Sequence, residues 1–291
     1  MLLPALAPGA ARPAVRPAAS PVAEAYARLT EVFPGLRFQE LRADEQAPQD
    51  GGWVPAARLA DGGADLDAFL AWDNAQILRD YEQQARPDVI ASFGLHRYAW
   101  PACLLITVPW FLLRRVPRFP VANVTFQRSL GRMAVRVTEF ACLPDDPAAD
   151  TPGARVVPDE EALRGEVRAA VAEHLGPVLE GFRPRMRRGP RALWGMATDE
   201  IVEGLWYVAH LLGEEHRAMA DLEQLLPGTT KPYVGAAAFR ELTGPNGEAL
   251  PTRDRASCCL FYTLRPEDTC VTCPRTCDAQ RVRRLTAAAA R

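Results

Sequence analysis

Lysine is almost missing from this chain. Of its 34 basic residues only Lys231 is not arginine, a bias that reads as codon usage in a high-GC genome and assigns no function. A surplus of positive charge is missing as well. With a formal net charge of -2 and a pI near 6.1, the chain has no global basic field of the kind that nucleic acid or an anionic membrane surface selects. No Gly-rich nucleotide fingerprint occurs, which argues against an internal NAD(P)H or flavin site and for an external electron source in any redox role. The opening MLLPALAPGAARPAVRPAAS has no basic n-region and is interrupted by prolines at 4, 8, 13 and 17; it is a poor signal peptide and predicts a disordered arm over residues 1–20.

Long hydrophobic runs are also scarce. The best candidate for a membrane span, Tyr98 to Leu113, has sixteen residues and two prolines and directly follows His96 and Arg97. A span needs roughly twenty residues, so this segment is expected to be buried core. With neither signal nor span, the expected compartment is the cytoplasm, with no transmembrane segment and at most peripheral contact with the inner membrane. Thiols stay reduced there, and clustered cysteines mean metal or catalysis. The paired Glu-x2-His motifs of a di-iron bundle are absent. His96, His174, His210 and His216 therefore read as structural or surface residues, and Cys103 and Cys142, in apolar settings, as small buried hydrophobes.

What is present is enough apolar sequence, 48% of 291 residues, for a real core. VAEAYARLTEVFPGL predicts a short amphipathic helix, and further helical segments are expected from about Leu66 to Ala85 and from Val89 to about Leu113, the last bent at Pro101 or Pro109. VANVTFQ and MAVRVTEFAC are β-branched and alternating, with RSLG between them, and predict an antiparallel hairpin. Pro158, followed by Asp159, Glu160 and Glu161, is expected to start a helix striped by Leu163, Val167, Val171, Leu175, Val178 and Phe182. A second long helix runs from Pro190 to about Leu212, with a core face of Ala197, Ile201, Leu205, Val208 and Leu212. The fold class is thus α+β and mainly helical: a main domain over 21–240 with one antiparallel hairpin, and a small C-terminal module over 241–291 entered through the turn-rich GPNGEALPTRD. So small a module cannot build a large core, and a bound metal centre would help to hold it together.

That module holds five of the seven cysteines. Cys258 and Cys259 are adjacent; ten residues later come Cys270 and Cys273, and then Cys277. A disulfide is disfavoured by the compartment and by the strain of a vicinal ring. Structural zinc draws on Cys-x2-Cys hooks, and only one hook here has that form, because two adjacent residues rarely turn both sulfurs onto one small ion. An iron-sulfur cluster spreads four thiolates over a larger object. A [2Fe-2S] rhombus could take the adjacent pair on one iron and the Cys-x2-Cys pair on the other. A [4Fe-4S] cluster using Cys277 is a further option, since CVTCPRTC is in part like the bacterial ferredoxin run.

RASCCLFYTLRPEDTCVTCPR, with Cys-Cys-x10-Cys-x2-Cys, resembles the ferric-siderophore reductases of the FhuF type; RALWGMATDEI and the region of FGLHRYAWP resemble them more loosely. The resemblance implies a [2Fe-2S] cofactor held by Cys258, Cys259, Cys270 and Cys273, with Cys277 outside the pattern. It also implies a cytoplasmic one-electron reductase that takes a ferric siderophore, hydroxamate or catecholate, reduces its Fe(III) to Fe(II) and releases the iron, using an external donor such as a ferredoxin. Readings from other classes are a non-enzymatic iron-sulfur sensor or regulator and a zinc-stabilised binding module.

Around the cysteines, Arg253, Arg255, Arg265 and Arg275 could offset thiolate charge, with Arg255 and Arg275 the candidates for tuning a cluster; the alternative for all four is a solvated surface. Leu260, Phe261 and Tyr262 are expected to pack the module onto the main domain. RPRMRRGPR, including Arg185, Arg187 and Arg188, could dock an acidic donor or an anionic siderophore, or could simply be a solvated loop; with no accompanying motif it does not predict nucleic-acid binding. Trp194 is expected in the core or on a siderophore pocket.

Overall fold

The computed structural model describes residues 20–289, so the arm expected over 1–20 lies outside the described residues except for its last position. Helix α1 (Ala23–Val32) buries Ala25, Tyr26 and Leu29. Strands β1 (Arg37–Glu40) and β2 (Trp53–Pro55) and the short helix α2 (Ala56–Ala60) lead to α3 (Ala64–Tyr81) and α4 (Pro87–Leu113). Next come β3 (Val116–Pro117), β4 (Val124–Gln127), β5 (Arg132–Val135), β6 (Phe140–Cys142) and β7 (Ala154–Val156). Helices α5 (Glu160–Phe182), α6 (Pro190–Leu212) and α7 (Glu215–Leu225) complete the larger part. The C-terminal part is built from β8 (Phe239–Thr243), β9 (Ala249–Arg253) and α8 (Asp278–Ala289).

The mainly helical α+β class read from the sequence is the observed one, and α4 is its centre. By length and hydropathy α4 could cross a membrane, but 78% of its most apolar window is buried inside the protein, where α1, α3, α5 and α6 pack around it. Each large side chain it buries, such as Trp110 or Phe111, contributes roughly 1.5–3 kcal/mol. Pro101 and Pro109, the two positions at which a bend was expected, both lie within this one continuous helix. Pro109 has no N–H to give the carbonyl of Leu105; that carbonyl accepts the Tyr26 hydroxyl of α1 instead, at 2.8 Å.

The predicted hairpin is β4–β5, with Val124 opposite Val135 and Gln127 opposite Arg132. Arg128–Leu130 form a 3-10 turn closed by the Gln127 side chain, which accepts the Leu130 N–H. Gly131 follows with φ +58°, and a Cβ there would lie 2.1 Å from the Gly35 carbonyl, so the position requires glycine. Two expectations need correction. The second strand stops at Val135 instead of running to Cys142, because Phe140–Cys142 leaves for another sheet, β3-β6-β7. Alternation also fails, since Met133, Ala134 and Val135 are all buried; β4–β5 is enclosed on both faces in the sheet β1-β5-β4-β2, with β1 parallel to β5. A further antiparallel hairpin, β8–β9, opens the C-terminal part.

Helix α5 starts two residues later than Pro158. Asp159 is its N-cap, accepting the Ala162 N–H at 2.8 Å, with Glu160 and Glu161 in the positive first turn. Its predicted stripe is buried throughout. Helix α6 has the predicted bounds and core face, but Thr198, Asp199 and Glu200 are buried too; Asp199 lies against the C-terminal part and Glu200 meets His96 of α4.

Candidate metal centre

The centre is assembled from α6 upward. Asp199 is fully buried, and its carboxylate collects the Arg253 guanidinium (2.9 Å) and the backbone N–H groups of Ala256 and Ser257 (2.8 Å each). Arg253 also reaches Glu203 and the Ala237 carbonyl. It is 0% exposed, so it ties β9 to α6 and belongs neither to a solvated surface nor to the sulfurs. Three other elements clamp the loop that follows. Ser92 of α4 donates to the Cys259 carbonyl (2.9 Å), Gln83 to the Leu264 carbonyl (2.6 Å) and Arg188 to the Cys258 carbonyl (2.6 Å).

The second pair of thiols sits on a turn in which the Cys273 N–H bonds the Cys270 carbonyl at 3.1 Å. Thr276 donates its hydroxyl to that same carbonyl (2.9 Å). Arg281 of α8, 3% exposed, holds the turn from behind by donating to the Cys273, Thr276 and Arg253 carbonyls, each at 3.1 Å, and to Asp254. Buried guanidiniums that satisfy backbone carbonyls in this way fix loops that lack regular ladders.

Cys258, Cys259, Cys270 and Cys273 line one cavity of about 320 Å³. Each sulfur has an N–H donor beside it. Leu260 N–H points to Cys258 Sγ and Arg275 N–H to Cys273 Sγ, both at 3.4 Å; Phe261 N–H serves Cys259, and Arg255 Nη1 stands 3.9 Å from Cys270 Sγ. Burial raises the Cys259 and Cys273 thiols; the adjacent N–H groups lower them, and the neighbouring cysteines raise them again. Cys273 feels Cys258, Cys259 and Cys270 in this way. Cys277 is exposed and lines no part of the cavity; its carbonyl accepts from Gln280 and Arg281 at the start of α8.

These residues fit an iron-sulfur cluster. Sulfurs ringed by N–H donors are prepared for negative charge. Cys258, Cys259, Cys270 and Cys273 line the same cavity, so the four thiolates that an iron-sulfur cluster needs are available at one place.

The other candidates are distributed as follows. Arg255 faces both Cys270 and the Asp199 carboxylate (3.6 Å). Arg275 stacks on Tyr262 at 3.8 Å and Arg265 on Tyr81. Phe261 meets Tyr81 and Phe93, and Leu260 packs with Ile77 and Val89, which is the expected attachment to the main domain. Of the arginine-rich loop, Arg188 reaches the Cys258 loop, Arg187 lies near Asp88, and Arg185 is paired with Asp67. Trp194 packs edge-to-face on Tyr233 and lines neither the cysteine cavity nor the larger one beside it.

His174 is the structural histidine expected: buried, donating to the Phe119 carbonyl and accepting from Tyr98. His96 is also held structurally, but it borders the cysteine cavity. Its Nδ1 meets the buried Glu200, while its Nε2 is buried without a partner on the wall of the cysteine cavity. FGLHRYAWP carried the only sequence signal for it. Asp199, Glu200 and Arg281 had none beyond their position in RALWGMATDEI and after the last cysteine.

Residues 255–275 match the family model of the FhuF 2Fe-2S C-terminal domain. A comparison with curated proteins finds no match. The segment that carries the adjacent and spaced cysteines is thus similar to the FhuF 2Fe-2S C-terminal domain, and the cofactor that this similarity supports is a [2Fe-2S] cluster.

Proposed function

We propose that the protein is a cytoplasmic ferric-siderophore reductase whose Cys258, Cys259, Cys270 and Cys273 hold the [2Fe-2S] cluster. The observation that carries this reading is the ring of four N–H-supported thiols around one cavity within the matched domain. When bound, the cluster supplies one electron at a time, which is what the conversion of Fe(III) to Fe(II) takes. The hard oxygen donors of hydroxamates and catecholates hold Fe(III) far more tightly than Fe(II), so reduction of the substrate iron loosens the chelate.

The chain's own residues orient and shield. Asp199, Arg253 and Arg281 fix the two cysteine-bearing turns against α6, Arg255 places a positive charge beside Cys270, and Phe93, Phe261 and Tyr262 keep the inner wall apolar. Cys270 is exposed, and Arg188 and Arg275 stand around the same loops. That rim is where an acidic one-electron donor such as a ferredoxin would dock.

Anaerobic purification followed by metal analysis tests the reading first. It predicts two irons and two sulfides per chain, and protein that is colourless and contains zinc alone would contradict it. The dithionite-reduced protein, freed of excess reductant, is then expected to yield Fe(II), trapped by a ferrous chelator, from at least one of a panel of ferric hydroxamates and catecholates. A cluster that forms but produces Fe(II) from none of them would favour a sensor.

A further inference from the structure

A second, larger cavity of about 560 Å³ adjoins the cysteine cavity, and the two share His96, Arg97 and Arg255. It is assembled from chain segments far apart in sequence: Trp72 of α3, Trp100 of α4, Phe126 of β4 and Arg128 of the hairpin turn. Arg128 lies flat over Trp72, 4.4 Å from the ring centre, and donates to both oxygens of the fully buried Asp73; Arg97 reaches the same carboxylate at 3.1 Å.

This is a built wall. One buried carboxylate holds two guanidiniums against an aromatic face, so their remaining N–H groups are oriented before any ligand arrives. Three buried nitrogens in the wall have no hydrogen-bond partner: His96 Nε2, whose other ring nitrogen is held by Glu200, Arg128 Nε and Arg255 Nε. Buried polar atoms of this kind are costly to leave bare, and here all three belong to side chains that line one cavity.

The geometry points to this cavity as the seat of the ferric chelate, with Trp72, Trp100 and Phe126 meeting its organic framework and Arg97, Arg128 and His96 meeting its oxygen atoms. The choice of ligand rests on the reductase reading above. A chelate placed here would share His96, Arg97 and Arg255 with the cysteine cavity. The charges set a further condition. Arg97 and Arg128 already face Asp73, and Arg255 faces Asp199, so the cavity offers donors with little surplus positive charge. It fits a chelate of low net charge better than a polyanion.

The test uses the gallium(III) complex of desferrioxamine, which has the shape and charge of the ferric complex but takes no electron, titrated calorimetrically into the full-length cluster-loaded protein. The parent is expected to bind it, and Trp72→Ala and Arg97→Gln to weaken binding by about tenfold or more each. Val156→Ala, on exposed β7 outside both cavities, is expected to leave it unchanged. Trp72 is 38% exposed and the Arg97 side chain 36%, so both variants should fold, which circular dichroism would verify. Absence of binding to the parent, or parent-like binding by both variants, overturns the site. The two readings fail separately. If the ferric complex binds here and is not reduced, the reductase assignment falls and the binding site stands. If reduction proceeds while binding ignores both variants, the site falls and the reductase stands.

Discussion

The carboxylate of Asp199 accepts the backbone N–H of Ser257 at 2.8 Å, one residue before the adjacent cysteines, while its other oxygen is bound to the buried Arg253. A single side chain of α6 thus sets both the strand that enters the cysteine loop and the loop itself. Arg253 keeps Glu203 as a second partner, so loss of the Asp199 charge is expected to cost less than the roughly 3–5 kcal/mol of a buried pair broken outright. Asp199→Asn is therefore expected to lower the denaturant midpoint by a corresponding amount and to reduce the iron bound per chain. A parent-like midpoint with full iron content would show that the tie is dispensable.

The five clustered cysteines are not equivalent. Cys270→Ser removes a sulfur from the cavity wall, whereas Cys277→Ser alters an exposed residue at the start of α8. Iron and sulfide analysis of the two variants is expected to give cluster loss or distortion in the first and parent-like content in the second. Loss in both would assign a different set of ligands.

Arg255 bears on the electron rather than on the fold of the site. Its guanidinium stands 3.9 Å from Cys270 Sγ, and a nearby positive charge favours the reduced, more negative state. Arg255→Gln is predicted to shift the midpoint potential downward by on the order of tens of millivolts. An unchanged or raised potential in a redox titration would remove this role.

His174 gives the larger part of the protein a pH signature. Burial pulls its pKa down from 6.5 to about 4, against the favourable Phe119 carbonyl. Between those values the unfolded chain takes up a proton that the folded one refuses, so the stabilisation present above the unfolded pKa is lost as pH falls through this window. The loss approaches 1.4 kcal/mol per pH unit at its steepest. Comparing denaturant unfolding at pH 7 and pH 5, the parent should lose about 2 kcal/mol more than His174→Gln. Equal losses would mean that His174 titrates alike in both states.

The sequence was most informative where chemistry is local. The cysteine spacing pointed to a cluster, and the stripe from Leu163 to Phe182 and the prolines at 158 and 190 located two long helices to within a few residues. It was silent where burial comes from a distant partner. Asp199 and Glu200 carried no signal, because the groups that bury them, residues 253–257 and His96, come from distant segments. The hydroxyl that satisfies the carbonyl freed by Pro109 could not be foreseen, because Tyr26 lies on another helix. The parallel pairing of β1 with β5 and the cavity joining Trp72, Trp100 and Arg128 are products of chain segments that meet only in the fold.

The most direct test of the central claim is a single-turnover experiment. Protein reduced by one electron per cluster, with reductant removed, is mixed anaerobically with excess ferrioxamine in the presence of a ferrous chelator, and cluster reoxidation and Fe(II) are followed together. The account predicts one Fe(II) formed for each cluster reoxidised, at matching rates, and loss of both in Cys270→Ser. A cluster that stays reduced in contact with the ferric siderophore, or is reoxidised without Fe(II) appearing, would contradict it.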